Sequence, residues 1–135
     1  MGASTAIVSS HSLSNEEFCD FVACLGGVIT SPVRATIVEG ESNVWIALLN
    51  AEALSDFYED GVFAEWEHLL GGEVVRLIEM QLDHSANSQL LAFKIAVKFG
   101  RRWPLVFCDV DGIDLQYHQI VEVYNALLGG KGAGF

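Results

Sequence analysis

Residues 87–110 read NSQLLAFKIAVKFGRRWPLVFCDV, and this stretch decides the fold class. Its first part, 87–100, predicts a helix that is apolar around most of its circumference and therefore largely buried. Its second part, 105–110, is a short and continuously apolar run, which is typical of a strand buried on both faces. A buried helix followed by such a strand indicates helices packed on a sheet.

The stretch near the start of the chain predicts a strand and then a helix. Residues 5–10 predict the strand. Ser14 and Glu17 have the spacing of a capping box, so the helix is expected to begin there. The helix has an apolar stripe at helical spacing, made by Phe18, Phe21, Val22 and Leu25.

A Leu-Gly-Gly triplet occurs three times, at residues 25–27, 70–72 and 128–130. Glycine ends helices because it enters the left-handed backbone region without steric cost. The flanking patterns differ, so the triplets do not indicate an internal repeat. They predict three helix ends.

A β-hairpin is predicted at residues 33–39 and 43–49, around the turn residues 40–42. One face of its first strand is more polar than the other, because Arg34, Thr36 and Val38 alternate with Val33, Ala35 and Ile37.

The region after the hairpin is expected to be helical and then extended. Residues 51–60 and 62–70 predict one helix interrupted near Gly61, or two short helices. Residues 73–83 favour a strand. The inward-facing candidates of the helical part are Leu54, Phe57, Tyr58, Phe63, Trp66, Leu69 and Leu70.

The last helix is predicted over residues 115–128, with Asp114 as its cap and 129–135 as a flexible, glycine-rich tail. The predicted order is therefore β-α-β-β-α-β-α-β-α. Residues 1–135 are expected to form a single domain of the α+β class, with helices packed on one mixed or antiparallel sheet.

The composition restricts the partners. The chain has 18 acidic and 7 basic residues, a formal net charge of −11. Such a field repels nucleic acids and anionic membrane surfaces, so neither is an expected partner. The absence of a signal-peptide pattern or a membrane-length apolar run predicts a cytoplasmic protein.

The sequence predicts neither a cofactor nor a metal site. The cysteines Cys19, Cys24 and Cys108 are interpreted as buried thiols in a reducing compartment, because no further soft ligands lie at zinc spacing. No two of the four histidines have the helical spacing of paired metal ligands.

The motif Asp109-Val110-Asp111-Gly112 resembles the first motif of haloacid-dehalogenase-type phosphatases. Ile113 stands where that family normally has threonine, and residues 113–135 leave no room for its lysine and metal-binding acids. As a calcium loop counted from Asp109, the motif would need glutamate where Ile120 stands. The preferred interpretation is a strand, an Asp-Gly turn and a capped helix, and the chain is not expected to be an enzyme.

Charge is unevenly distributed along the chain. Lys94, Lys98, Arg101 and Arg102 fall within 94–102, and three of them share a helical stripe. Residues 52–67 contain acids and no basic residue, which suits docking to a basic protein surface. The predicted partner contacts are Glu52, Asp56, Glu59, Asp60, Glu65, Trp66 and Glu67.

The segment from Leu90 to Gly112 is similar to a segment of small bacterial proteins encoded near secreted toxins. In those proteins a helix ending in an aromatic and basic stretch leads into a short strand and an Asp-Gly turn. They are taken to be immunity or immunity-like factors that neutralise a cognate toxin. The resemblance identifies no contact residues, because immunity contacts differ between pairs.

We therefore expect an acidic, cytoplasmic immunity-type protein that neutralises a cognate toxin by stoichiometric binding. The partner would be a basic toxin domain, with a nuclease as one candidate. The alternative is a regulatory or structural protein-binding domain without a toxin partner, including a homodimer.

Overall fold

The structure is a computed structural model that describes residues 3–54, 58, 60–85 and 87–132. Its strands are β1 (Ser4–Ser9), β2 (Val28–Ser31), β3 (Arg34–Glu39), β4 (Ser42–Asn50), β5 (Arg76–Leu82), β6 (Val106–Cys108) and β7 (Asp114–Leu115). Its helices are α1 (Asn15–Cys24), α2 (Ala51–Leu54), α3 (Asp60–Leu70), α4 (Ser88–Gly100) and α5 (Tyr117–Gly132). The predicted α+β class is confirmed.

The strands form one sheet in the order β2-β3-β4-β5-β1-β6-β7. Every neighbouring pair is antiparallel, so the antiparallel alternative of the prediction is the correct one. The β3–β4 hairpin and the strand predicted at 73–83 are both present. β1 lies inside the sheet, between β5 and β6, although it is the first strand of the chain.

The main core lies between one face of the sheet and the helices α1, α4 and α5. α4 is buried along most of its length, as its apolar circumference predicts. The sheet contributes the residues of alternating positions to this core, including Ile7, Ile37, Ile46 and Met80.

A second, smaller core lies on the opposite face of the sheet, under α3. Trp66 of α3 packs with Val8, Leu77 and Val106. Phe107, the neighbour of Val106 in β6, belongs instead to the main core. β6 is therefore buried on both faces, as its continuous apolar run predicts.

The start and end of α1 follow their local sequence signals. Ser14 Oγ accepts the Glu17 N–H at 3.0 Å, and the Glu17 carboxylate accepts the Ser14 N–H at 3.0 Å. The hydrogen bond from the Ser14 N–H, with that from His11, lowers the pKa of Glu17. Gly26 adopts φ +76° just after the helix, which confirms the predicted helix end.

Two short strands depart from the predicted order. β2 occupies Val28–Ser31, which the sequence prediction leaves without an element. β7 contains Asp114, so the prediction that Asp114 caps the last helix is wrong. α5 begins instead at Tyr117, and the Gln119 side chain accepts the N–H of Gln116 at 2.9 Å.

Two of the three predicted glycine helix ends are confirmed. α3 ends at Leu70, and Gly71 follows it with φ +71°. The third prediction is wrong, because α5 continues through Gly129 to Gly132. Residues 129–132 of the predicted tail are therefore helical, and residues 133–135 lie outside the described residues. Within 51–70 the structure has two helices, α2 and α3, and the break predicted near Gly61 is wrong because Gly61 lies inside α3. Residues 55–57 and 59, which belong to the first predicted helix, lie outside the described residues.

Candidate protein-interaction surface

The predicted contact residues of 52–67 do not form one uniform surface. Glu52 in α2 and Glu65 in α3 are exposed. Glu67 is half-buried, and its carboxylate accepts the Val74 N–H at 3.2 Å. Asp60 begins α3, but its side chain is not described, and Asp56 and Glu59 lie outside the described residues.

Trp66 cannot be a surface contact in this structure, so that prediction is corrected. Its side chain is 2% exposed, and its indole N–H donates to Asp114 Oδ1 at 3.0 Å. Phe63 and Tyr58 pack edge-on against its ring. Successive helical residues point about 100° apart, so Glu65 can face solvent while Trp66 faces the sheet. Trp66 therefore fastens α3 to the sheet.

Two titratable groups near the Trp66–Asp114 hydrogen bond, Cys108 and Tyr58, have raised pKa values. Burial, together with the Asp114 carboxylate, raises the pKa of Cys108 to about 11. The thiol is therefore protonated at neutral pH and is a poor nucleophile. Burial, together with Glu79, also raises the pKa of Tyr58. Cys24 is exposed, so the expectation of buried thiols is wrong for that residue.

The carboxylate of Asp109 stabilises a turn. Its Oδ1 accepts the N–H groups of Asp111 at 2.9 Å and of Ile113 at 3.0 Å. Gly112 adopts φ +77°, and the backbone N–H of Asp109 donates to the Ile113 carbonyl at 3.0 Å. The Asp-Gly turn is confirmed, although it leads into β7 and not directly into a helix.

Lys94 and Lys98 of the predicted basic stripe lie in α4, but Arg102 follows the end of that helix, so the stripe does not extend to it. Lys94 Nζ pairs with Glu39 Oε1 at 3.0 Å. The Arg102 guanidinium lies 5.7 Å from the ring centre of Phe21 and 5.6 Å from that of Trp103. Both cations are therefore held by neighbouring side chains of the same chain.

An apolar surface that the prediction did not include lies on the other side of the sheet. Three of its side chains are unusually exposed for their type: Val28 at 63%, Val38 at 56% and Trp45 at 46%. Val28 pairs with Thr36, and Thr36 pairs with Trp45, so Val28, Thr36 and Trp45 form a row across three strands. We call the residues Val28, Arg34, Thr36, Val38 and Trp45 the open sheet face.

The open sheet face lies beside the region that α3 covers. Ala35, Ile37 and Ile46 alternate with its residues and are buried under the helices on the opposite side. α3 packs over Val8 and Leu77, in β1 and β5, and Leu49 at the end of β4 packs beside them. Farther from α3 on the same side, Val28, Val38 and Trp45 are exposed. The alternation of polar and apolar residues in β3 could have indicated this face, but Trp45 is hidden within a continuous apolar run.

Comparison of the chain with protein-family models, with curated proteins and with solved structures gave no match. Among the residues that the structure describes, no three His, Cys, Asp or Glu side chains are grouped so as to hold a metal ion. No helix in that part of the chain has the length and apolarity needed to cross a membrane. The two surfaces of interest are the exposed acids around α2 and α3 and the open sheet face.

Proposed function

We propose that this chain is an immunity-type protein that neutralises a basic toxin domain by binding it stoichiometrically. The observation that supports this proposal is the excess of acid that basic residues do not offset. The chain has 18 acidic against 7 basic residues. In the described part of the chain one lysine–carboxylate pair is formed, Lys94 with Glu39. The resulting negative field attracts a basic protein.

The binding surface that we propose is centred on α2 and α3. The exposed acids there are Glu52, Glu65 and, in the connection to β5, Glu73. Lys94 and Lys98 lie on α4, which packs on the opposite face of the sheet. A basic partner is therefore steered toward the α3 side of the molecule. The similarity of residues 90–112 to immunity-like proteins agrees with this role.

The test begins with the reading frame beside the gene, where the proposal expects a secreted protein with a toxin domain. That purified domain is titrated with the chain in a calorimeter and in a stopped-flow instrument. We expect one-to-one binding, loss of the toxin activity at equal concentrations, and an association rate that falls as salt is added.

The surface is tested by charge reversal. We expect the double variant Glu52→Lys and Glu65→Lys to slow association by about tenfold at low salt. The matched control is Asp20→Lys with Glu122→Lys, which changes the net charge equally at exposed positions on α1 and α5. Equal slowing by both double variants would contradict the location, and salt-insensitive binding would contradict the electrostatic role.

A second candidate function is a regulatory or structural protein-binding domain without a toxin partner. The open sheet face favours it, because exposed aromatic and branched apolar side chains are typical of interface centres. Association of the chain with itself would be the simplest form of this alternative.

A further inference from the structure

The open sheet face is almost uncharged, which is unusual in a chain with a net charge of −11. One row of paired residues crosses four strands of the sheet, and none of its members is charged: Val28, Thr36, Trp45 and Gln81. The next row on the same face passes from Arg34 through Ala47 to Glu79. The two charges of that row cancel, so the face has no local excess of acid.

Local neutrality matters because salt screens distant charges. At physiological ionic strength the screening length is about 8 Å, so only charges near a contact contribute strongly. Two copies of this acidic chain repel each other across most orientations. A contact between two open sheet faces largely avoids that repulsion, and it removes Val28, Val38 and Trp45 from water.

The arrangement of the two charges is self-complementary. Arg34 is exposed and has no ion pair among the described residues, while Glu79 lies two strands away on the same face. Two strand spacings amount to about 10 Å. A twofold axis lying in the plane between the two faces and parallel to β4 would place Arg34 of each copy opposite Glu79 of the other, with Trp45 near the axis. Arginine and tryptophan are the residues that most often dominate interface energies.

We infer that the open sheet face is an interface for a second copy of this chain, formed by packing the two sheets face to face. This interface lies apart from the exposed acids around α2 and α3 and does not depend on a toxin partner. With Glu79 and Gln81 of β5 included, the contact spans four strands, and five residues along each strand give a planar area of about 300 Å². Stable interfaces bury about 800 Å² on each partner, so the dimer should be weak and should dissociate on dilution.

The test is sedimentation velocity on the full chain, over concentrations from about 1 µM to 1 mM. The expected result is an average mass that rises from 14.7 kDa toward twice that value. Trp45→Glu and Val38→Glu should each keep the chain monomeric over the range. The matched control is Ile113→Glu, which adds the same charge at a site of similar exposure (55%) outside the face, and it should still dimerise.

A charge exchange tests the orientation of the two copies. Arg34→Glu should weaken dimerisation by at least tenfold, because two acids then face each other. Adding Glu79→Arg to that variant should restore dimerisation, since the pair is re-formed with its signs exchanged. Circular dichroism of each variant shows that it is folded. A wild-type chain that stays monomeric at 1 mM, equal dimerisation of Trp45→Glu and Ile113→Glu, or no restoration by the exchange would overturn the proposal.

Discussion

Trp45 in β4 and Trp66 in α3 are close in sequence, yet their side chains differ in burial. Trp66 is buried under α3 and donates to Asp114, whereas nearly half of Trp45 is exposed. From the sequence, both are aromatic residues within amphipathic or apolar segments. The sequence does not distinguish the two roles, because they depend on which part of the sheet α3 covers.

Replacing Trp66 with phenylalanine should destabilise the chain. The ring is largely kept, but the Asp114 carboxylate loses its hydrogen-bond donor, at a cost of about 1–3 kcal/mol in the free energy of unfolding. Urea unfolding followed by circular dichroism measures the change. Trp45→Phe is the control and should shift that free energy by less than about 0.5 kcal/mol. Similar losses in both variants would argue against the interior role of Trp66.

The carboxylate of Asp83 stabilises the connection between β5 and α4. It accepts the Ser85 hydroxyl at 2.6 Å and the Asn43 N–H at 2.7 Å. The pKa of Asp83 is lowered, chiefly by the Ser85 hydroxyl. A carboxyl whose pKa is lower in the folded state stabilises that state above its unfolded pKa, and this contribution disappears as pH falls through the folded pKa.

Asp83→Asn should therefore lower the Tm at pH 7 and have progressively less effect below about pH 4. Thermal unfolding at a series of pH values measures the difference between variant and wild type. Asp111→Asn, at an exposed turn position, should leave the Tm unchanged at every pH. A difference that does not depend on pH would mean that the charge of Asp83 is unimportant.

At the scale of elements, the end of α4 depends on a glycine at a close contact. A Cβ atom added at Gly100 would meet the ring of Tyr117 in α5 and would lie 2.8 Å from Leu105 Cδ2. Gly129 is also in a helix, and, apart from that helix's own backbone, no atom of the described part of the chain lies within 4 Å of a Cβ added there. Comparing alanine variants at the two positions therefore distinguishes the effect of close packing from that of helix propensity.

Gly100→Ala should lower the free energy of unfolding by about 1–3 kcal/mol, because the ring of Tyr117 and the adjoining core must move. Gly129→Ala should instead raise it by about 0.5–1 kcal/mol, as alanine favours a helix more than glycine does. Chemical denaturation of both variants provides the comparison. Stabilisation at both positions would show that α4 and α5 are less closely packed than the structure indicates.

Elements with strong local signals could be predicted from the sequence. The Ser14–Glu17 capping box, the hairpin around Gly40 and the apolar circumference of 87–100 each depend on neighbouring residues alone. β2 and β7 were missed because four and two residues are too few to show a period. Asp114 is a residue type typical of helix caps, but it lies in β7 and pairs with Cys108 across the turn that Asp109 stabilises. Its residue type alone did not distinguish these two roles.

At the scale of the whole molecule, the net charge can be read from the sequence, whereas the strand order cannot. The net charge of −11 follows directly from the composition. The strand order, and with it the open sheet face, depends on pairings between distant segments such as β1 and β6. Sequence patterns could therefore locate acids along the chain but could not show which part of the sheet α3 leaves uncovered.

The excess charge should make stability depend on salt. Repulsion among carboxylates exceeds attraction, so added sodium chloride should raise the Tm by about 3 °C at pH 7. The same titration near pH 4.5, the isoelectric point calculated from the sequence, should have little effect because the net charge is close to zero there. A Tm that falls with salt at pH 7 would mean that attractive ion pairs dominate.

The position of β1 between β5 and β6 also determines the order in which the sheet can assemble. As the chain is synthesised, the β3–β4 hairpin can close at once, because its strands are adjacent in sequence. β1 precedes the hairpin in the sequence, but both of its neighbours come later, and its Ile7 pairs with Phe107, 100 residues farther along the chain. Such distant pairings slow folding, and they leave apolar strand residues without partners until late in synthesis. β1 can therefore be enclosed on both edges only after β6 has been made, and its two pairings join β5 to β6.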